Sequence, residues 1–109
     1  MSAPSTVPVS ITPEAATRVA ELGMQAELEQ MIEQTRRMVP ALKRIEVVLV
    51  PSPDIGDEPG ITIEATRSDT FWLKDPTEDR WSEWKIQTFS PDVWRHFVLM
   101  THHEANHAG

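Results

Sequence analysis

The chain has 109 residues, 39% of them hydrophobic and 25% charged, with a formal net charge of −7 and no cysteine. This length and composition predict one globular domain with a modest core. The negative charge disfavours nucleic acid, whose phosphates it would repel, and the lack of cysteine excludes disulfides, thiolate nucleophiles and cysteine metal sites.

The start of the chain favours a cytoplasmic protein without a membrane partner. It has neither the basic region nor the apolar core of a secretory signal, and no apolar run in the sequence approaches a membrane span. Residues 1–11 carry two prolines and no charged side chain, and we interpret them as a flexible arm. The single α/β domain is predicted to span 12–102, followed by a polar C-terminal tail over 103–109.

A helix is predicted over about 13–38. Thr12 can cap its first turn, Pro13 loses no hydrogen bond at the first helical position, and Glu14 complements the helix dipole. Apolar residues recur at spacings of three and four throughout this range. Gly23 lies inside the pattern, where it marks either a bend or a break between two helices.

Two strands joined by a turn-rich segment are predicted next. The run 44–50 is rich in β-branched residues and lies between two prolines, while 61–67 alternates between apolar and polar side chains. Because the connection 51–60 is rich in proline, glycine and aspartate, these strands should form an antiparallel hairpin with one face buried under the helix. The polar residues expected on its other, partly exposed face are Glu46, Thr62 and Glu64.

The second half of the chain is predicted to form a helix over about 76–88 and a strand over about 96–101. Asp75-Pro76-Thr77-Glu78 is a helix-start signal, although alternation after Trp84 leaves 79–89 open between helix and strand. The crossover between the last two strands should be right-handed and make them parallel. The predicted fold is therefore α+β, a two-layer α/β sandwich of order α-β-β-α-β with a three-stranded mixed sheet. It resembles small bacterial α/β accessory proteins in architecture, which implies no function.

The sequence His103-Glu104-Ala105-Asn106-His107 matches the H-E-x-x-H pattern of zinc hydrolases. On a helix its two histidines would lie one turn apart and bind zinc, while the glutamate would activate water. The motif lies at the end of the sequence with little helix around it, and a frayed polar tail is the competing interpretation. A protein without a cofactor is therefore expected, and the alternative zinc ligands are His102, His103, Glu104 and His107.

All four tryptophans and all three phenylalanines lie in the C-terminal half of the chain. Phe71, Trp72 and Leu73 form an apolar triplet in a loop-like context, which suits either a core or a partner-facing patch. Four other aromatic residues are placed periodically and favour core positions, namely Trp81, Trp84, Trp94 and Phe97.

These patterns favour a small acidic, non-enzymatic protein-interaction module. It would neutralise or regulate a basic protein, as an antitoxin-like or immunity-like protein does, or assemble with itself. The alternative from another class is a zinc-dependent hydrolase built on the C-terminal histidines, which predicts zinc that is lost on His103→Ala. The predicted contact residues are Phe71, Trp72 and Leu73, with Glu46, Thr62 and Glu64 or an exposed sheet edge as a second surface.

Overall fold

The structure is a computed structural model that describes residues 7–50, 59–69 and 75–104. Within these ranges, strands and helices alternate around one sheet. In chain order the elements are β1 (Val9–Ile11), α1 (Pro13–Leu22), α2 (Gln25–Met38), β2 (Leu42–Val50), β3 (Gly60–Arg67), α3 (Thr77–Thr88), α4 (Pro91–Trp94) and β4 (Phe97–His103).

The four described strands form one mixed sheet in the order β1-β2-β3-β4. β2 and β3 are an antiparallel hairpin, β1 is parallel to β2, and β4 is parallel to β3. The predicted α+β class, the hairpin and the parallel last strand are therefore confirmed. The three-stranded sheet and the order α-β-β-α-β are wrong, because a strand precedes the first helix and that helix is divided in two.

The strand that the sequence did not indicate is β1, which has only three residues. It is held by its backbone: Ile45 N–H donates to Pro8 C=O, and Thr12 N–H donates to Val47 C=O, both at 3.0 Å. A strand this short has too few residues for an alternating pattern to distinguish it from a loop. Its pairing depends on a neighbour more than thirty positions away, as the register Val9 to Ile45 specifies.

The first predicted helix is two helices, α1 and α2, which separate at Gly23. Thr12 caps α1 as predicted, since its Oγ1 accepts a hydrogen bond from Ala15 N–H at 3.2 Å. Gly23 has φ 68°, a left-handed conformation that glycine adopts readily, and Met24 N–H then donates to Val19 C=O at 3.0 Å. Of the two outcomes expected at Gly23, the break is the one observed.

The core lies between the helices and one face of the sheet. Trp81 of α3 is fully buried, and its indole N–H donates to Thr35 Oγ1 of α2 at 3.1 Å, so both crossovers meet over the same face. The segment 79–89 is therefore largely helical, within α3. Phe97 is also buried, whereas Trp84 and Trp94 are half-buried. The buried apolar residues are Ala15, Val19, Leu28, Met31, Ile32, Val39, Ile45, Val47, Ile61, Ile63, Ala65, Trp81, Phe97 and Leu99.

The two crossover connections have opposite hands. The steps from β1 to β2 and from β3 to β4 go in the same direction across the sheet, but the second pair of strands runs antiparallel to the first. Because the helices of both connections share one face, one connection must be left-handed, although parallel crossovers are almost always right-handed. This arrangement leaves the whole opposite face of the sheet without a described helix.

Candidate functional site

The face of the sheet that no described helix covers is called here the open face. Side chains alternate between the two faces of a strand, so every second residue of β2, β3 and β4 lies on it. The strand register arranges these residues in rows across the sheet. The rows are Val48–Thr62–Val98 (the apolar row), Glu46–Glu64–Met100 (the acidic row) and Arg44–Thr66–His102 (the basic row).

The open face carries accessible apolar side chains in and beside the apolar row. Val98 and Met100 are 43% and 46% exposed, and Val50, beyond the apolar row, is 42% exposed. Thr62 lies between Val48 and Val98 and is only 3% exposed. The accessible surface of the apolar row therefore comes mainly from its valines, and Thr62 contributes little to it.

Beside the apolar row, two glutamates occupy directly opposite positions on adjacent strands. Glu46 and Glu64 are Cα partners across β2 and β3. Like charges in this arrangement destabilise a sheet. Glu64 Oε1 lies 3.7 Å from His102 Nε2, while Glu46 has no ion-pair partner in the part of the chain that the structure describes. The acidic row is therefore negatively charged, and no cation among the described residues pairs with Glu46.

The cations at the far end of the face are already paired. Glu104 Oε1 lies 3.3 Å from Lys43 Nζ, and Glu104 Oε2 lies 3.7 Å from Arg44 Nη1. Glu104 therefore offsets part of the positive charge of the two cations beside it. The acidic row therefore carries two carboxylates, while the end of the face beyond it carries charges of both signs.

The outer edge of β4 is covered by α3. Lys85 Nζ donates to Phe97 C=O at 2.6 Å, and Glu78 Oε2 accepts from Thr101 N–H at 2.7 Å and from its hydroxyl at 2.9 Å. An unpaired strand edge is a template for another strand, and these contacts occupy two of its backbone groups. The exposed sheet edge expected from the sequence is therefore partly blocked along β4, while at the opposite edge β1 has only three residues.

Lys85 is a buried cation held by aromatic rings. It is 7% exposed, and its Nζ lies 5.5 Å from the Trp81 ring centroid and 5.6 Å from that of Trp94. Burial lowers the pKa of Lys85 below its ordinary value. Because it packs inside the domain against Phe97 C=O, this lysine has a structural position away from the open face.

The residues of the zinc motif have separate surroundings. His102 and His103 are consecutive in a strand and lie on opposite faces of β4. His103 Nδ1 is 3.2 Å from the backbone oxygen of Asp69 and 3.4 Å from its Oδ1. His107 lies outside the described residues, among which no group of three or more potential ligands is placed to hold a metal ion.

A buried arginine joins the two chain segments that flank 70–74. Arg67 is 1% exposed, and its guanidinium donates to Asp69 at 3.0 and 2.6 Å and to Asp75 at 2.5 Å. Asp75 also accepts from the backbone and hydroxyl of Thr77 at 2.9 and 2.6 Å, at the start of α3. We call these four residues the Arg67 cluster. The predicted contact residues Phe71, Trp72 and Leu73 follow Asp69 and lie outside the described residues.

Charge pairing perturbs every ionisable member of the Arg67 cluster. The hydrogen bonds from Arg67 lower the pKa of Asp69, and those from Thr77 and then Arg67 lower the pKa of Asp75. Burial alone would lower the pKa of Arg67, but its bonds to the two aspartates outweigh this and raise it. All three groups are therefore charged at neutral pH, and the cluster stabilises this end of β3.

A groove of about 840 Å³ lies on the helical side of the molecule, between α2 and the C-terminal half of α3. Its lining includes Trp84, which packs against Phe89 with 5.6 Å between ring centroids. Glu33, Arg36 and other charged residues of both signs also line it. Because Glu33 already pairs with Arg36 at 3.5 Å, this groove has no preference for one sign of charge.

Sequence reasoning identified part of the open face and missed the rest. Glu46, Thr62 and Glu64 are on one face as predicted, because the alternation of β2 and β3 is visible in the sequence. Val98 and Met100 were missed, since 97–100 is continuously apolar and such a run is typical of a strand buried on both faces. The Arg67 cluster had no sequence signal, because its residues meet only after α3 packs on the sheet.

No family model, curated protein or solved structure matches this chain. Among the described helices, none is both long and apolar enough to cross a membrane.

Proposed function

We propose that this protein is a small acidic protein-interaction module that binds another protein through the open face of its sheet. The observation that carries the proposal is the exposure of Val98, Met100 and Val50 on this face. Exposed apolar groups clustered on one surface are typical of binding sites, whereas isolated ones are ordinary.

The charge of the same surface supports a basic partner. Glu46 and Glu64 are Cα partners across the hairpin, and a partner's lysine or arginine placed over them would offset their like charges. The net charge of −7 acts in the same direction over a longer range, since it attracts a basic protein before contact. Neutralisation or regulation of such a protein is the function that this chemistry supports best.

The test compares matched apolar variants in a capture experiment. Wild-type protein, a Val98→Ser/Met100→Ser double variant and Ile86→Ser are immobilised and incubated with extract of the cells that encode the protein. Ile86 is 50% exposed on α3, so its variant removes a similar apolar side chain from the helical layer. We expect one stoichiometric partner that Ile86→Ser retains and the double variant loses.

Two other results would contradict the proposal. A partner captured equally by all three proteins would place the binding surface elsewhere, for example at residues 71–73. A chain that sediments as a stable dimer, and dissociates when Val98 and Met100 are replaced, would assign the open face to self-association.

The alternative function, a zinc-dependent hydrolase, can be tested on the same purified protein. It requires about one tightly bound zinc per chain, lost on His107→Ala, and no dependence of activity on Val98. Metal analysis of untagged protein therefore separates the two functions without any knowledge of the substrate.

A further inference from the structure

We infer that the partner segment bound by the open face is an amphipathic helix with a lysine or arginine one turn from its apolar residues. This inference rests on the proposed function and specifies the chemistry of the partner. It depends on the order of the rows, on the size of the face and on the contacts at its edges.

The rows of the open face are spaced like the turns of a helix. Successive rows are two residues apart along a strand, which is about 6.8 Å. Residues four apart on a helix are separated by about 6 Å along its axis. A helix lying along the strands therefore places one side chain over the apolar row and the next, one turn on, over the acidic row.

The width of the face suits a single helix. The three strands that carry the rows, at spacings of about 4.8 Å, give roughly 10 Å between the outer strand axes, close to a helix diameter of about 10–12 Å. An apolar side chain would contact Val48 and Val98, and a basic one would lie between Glu46 and Glu64. In the basic row beyond them, Arg44 already lies 3.7 Å from Glu104, so part of its positive charge is offset within the domain.

A strand is a less suitable partner because the sheet edges are occupied or short. Lys85 and Glu78 of α3 bond to the outer backbone groups of Phe97 and Thr101. At the other edge, β1 offers only three residues for pairing. Binding through the face avoids both restrictions.

A second copy of the chain does not satisfy both rows of the open face. In a twofold dimer with aligned sheets, the axis lies either along the strands or across them. An axis along the strands places each row over the same row of the second copy. An axis across the strands reverses the order of the rows in the second copy. When the apolar rows face each other, the acidic row meets carboxylates or the apolar end, never the basic row. When the acidic row meets the basic row, the apolar rows no longer meet. A partner of different sequence can match both rows at once.

The inference is tested with defined peptides and ¹⁵N-labelled full-length protein. The probe is an alanine-based helical peptide of about 18 residues with leucines on one stripe and lysines one turn away from them. A first control peptide has glutamate in place of each lysine. A second has the same composition but distributes leucine and lysine around the helix.

We expect the leucine–lysine peptide to shift the amide signals of Val48, Thr62, Glu64 and Val98, and neither control to do so. Replacing Glu46 and Glu64 together with glutamine should weaken binding about fivefold or more, the factor that corresponds to the loss of one useful charge contact. Glu83→Gln on the exposed side of α3 should leave the affinity unchanged.

The inference is overturned if the glutamate peptide binds equally well, if the shifts map to Trp84 and the helical groove, or if no peptide binds. A failure here together with partner capture that depends on Val98 and Met100 would reject the helix but retain the proposed function. Failure of both experiments would reject the proposed function as well.

Discussion

The indole N–H of Trp81 donates to the hydroxyl of Thr35 at 3.1 Å, and that hydroxyl in turn donates to Met31 C=O at 2.7 Å. This relay joins α3 to α2 and so connects the helices of the two crossovers. Both side chains are fully buried. Because the helices are held together over one face of the sheet, the opposite face carries no helix among the described residues.

Removing the Thr35 hydroxyl should destabilise the domain. Thr35→Val keeps the shape of the side chain but leaves the buried indole N–H without an acceptor, and we expect a loss of about 2 kcal/mol in the free energy of unfolding. Thr35→Ser is the matched control, since it keeps the hydroxyl. Urea unfolding measures both, and a valine variant as stable as the serine variant would contradict the role assigned to this bond.

Lys85 should make stability rise at alkaline pH. Burial lowers its pKa from the ordinary 10.5, so between the folded value and 10.5 the unfolded chain binds more protons than the folded one. The free energy of unfolding therefore increases with pH across this window. Lys85→Met lacks the ionisable group. The free energy of unfolding of the wild type, relative to that of this variant, should therefore increase with pH up to 10.5. A difference that stays constant in denaturation curves over this range would contradict the account.

The Arg67 cluster should contribute stability that acid removes. The pKa values of Asp69 and Asp75 are lowered from 3.8, so their contribution is fully present above 3.8 and is lost as pH falls through the folded values. Arg67→Met removes the buried cation and should cost about 3 kcal/mol at neutral pH. It should also make the free energy of unfolding less dependent on pH in the acid range. Arg80→Met, at an exposed position of α3, is the control and should change neither quantity.

The sequence was informative where a pattern is local. The cap at Thr12, the break at Gly23 and the alternation of β3 each depend on neighbouring residues, and each led to a correct expectation. The strand β1 was not predictable in this way, because its three residues are defined by backbone pairing with β2. Local pattern also supplied no account of the opposite hands of the crossovers, which follow from how the sheet and helices assemble.

The candidate site was likewise predictable from the sequence only in part. Glu46 and Glu64 could be assigned to one face of a hairpin by counting, but their neighbours Val98 and Met100 come from a strand over thirty residues later. Whether Val98 is covered or exposed depends on which side the helices occupy. That choice is made by contacts such as Trp81 with Thr35, which no spacing in the sequence reveals.

Glu46→Lys should stabilise the fold while it weakens the binding proposed for the open face. The substitution replaces a like-charge pair by an opposite-charge pair with Glu64 across β2 and β3, and we expect about 0.5 kcal/mol of added stability. If Glu46 served only to maintain the fold, its replacement would not increase stability while it weakened binding. Equilibrium unfolding measures the gain, and a loss of stability would show that the repulsion at this position is already relieved within the domain.

The most direct measurement of the central claim is partner capture by Glu46→Lys beside Glu83→Lys. Both variants change the net charge equally, but only the first lies on the open face, because Glu83 is exposed on α3. If the partner binds at the open face, Glu83→Lys retains it and Glu46→Lys loses it despite being at least as stable as wild type. Equal capture by the two variants, or loss with Glu83→Lys alone, would contradict binding at the open face.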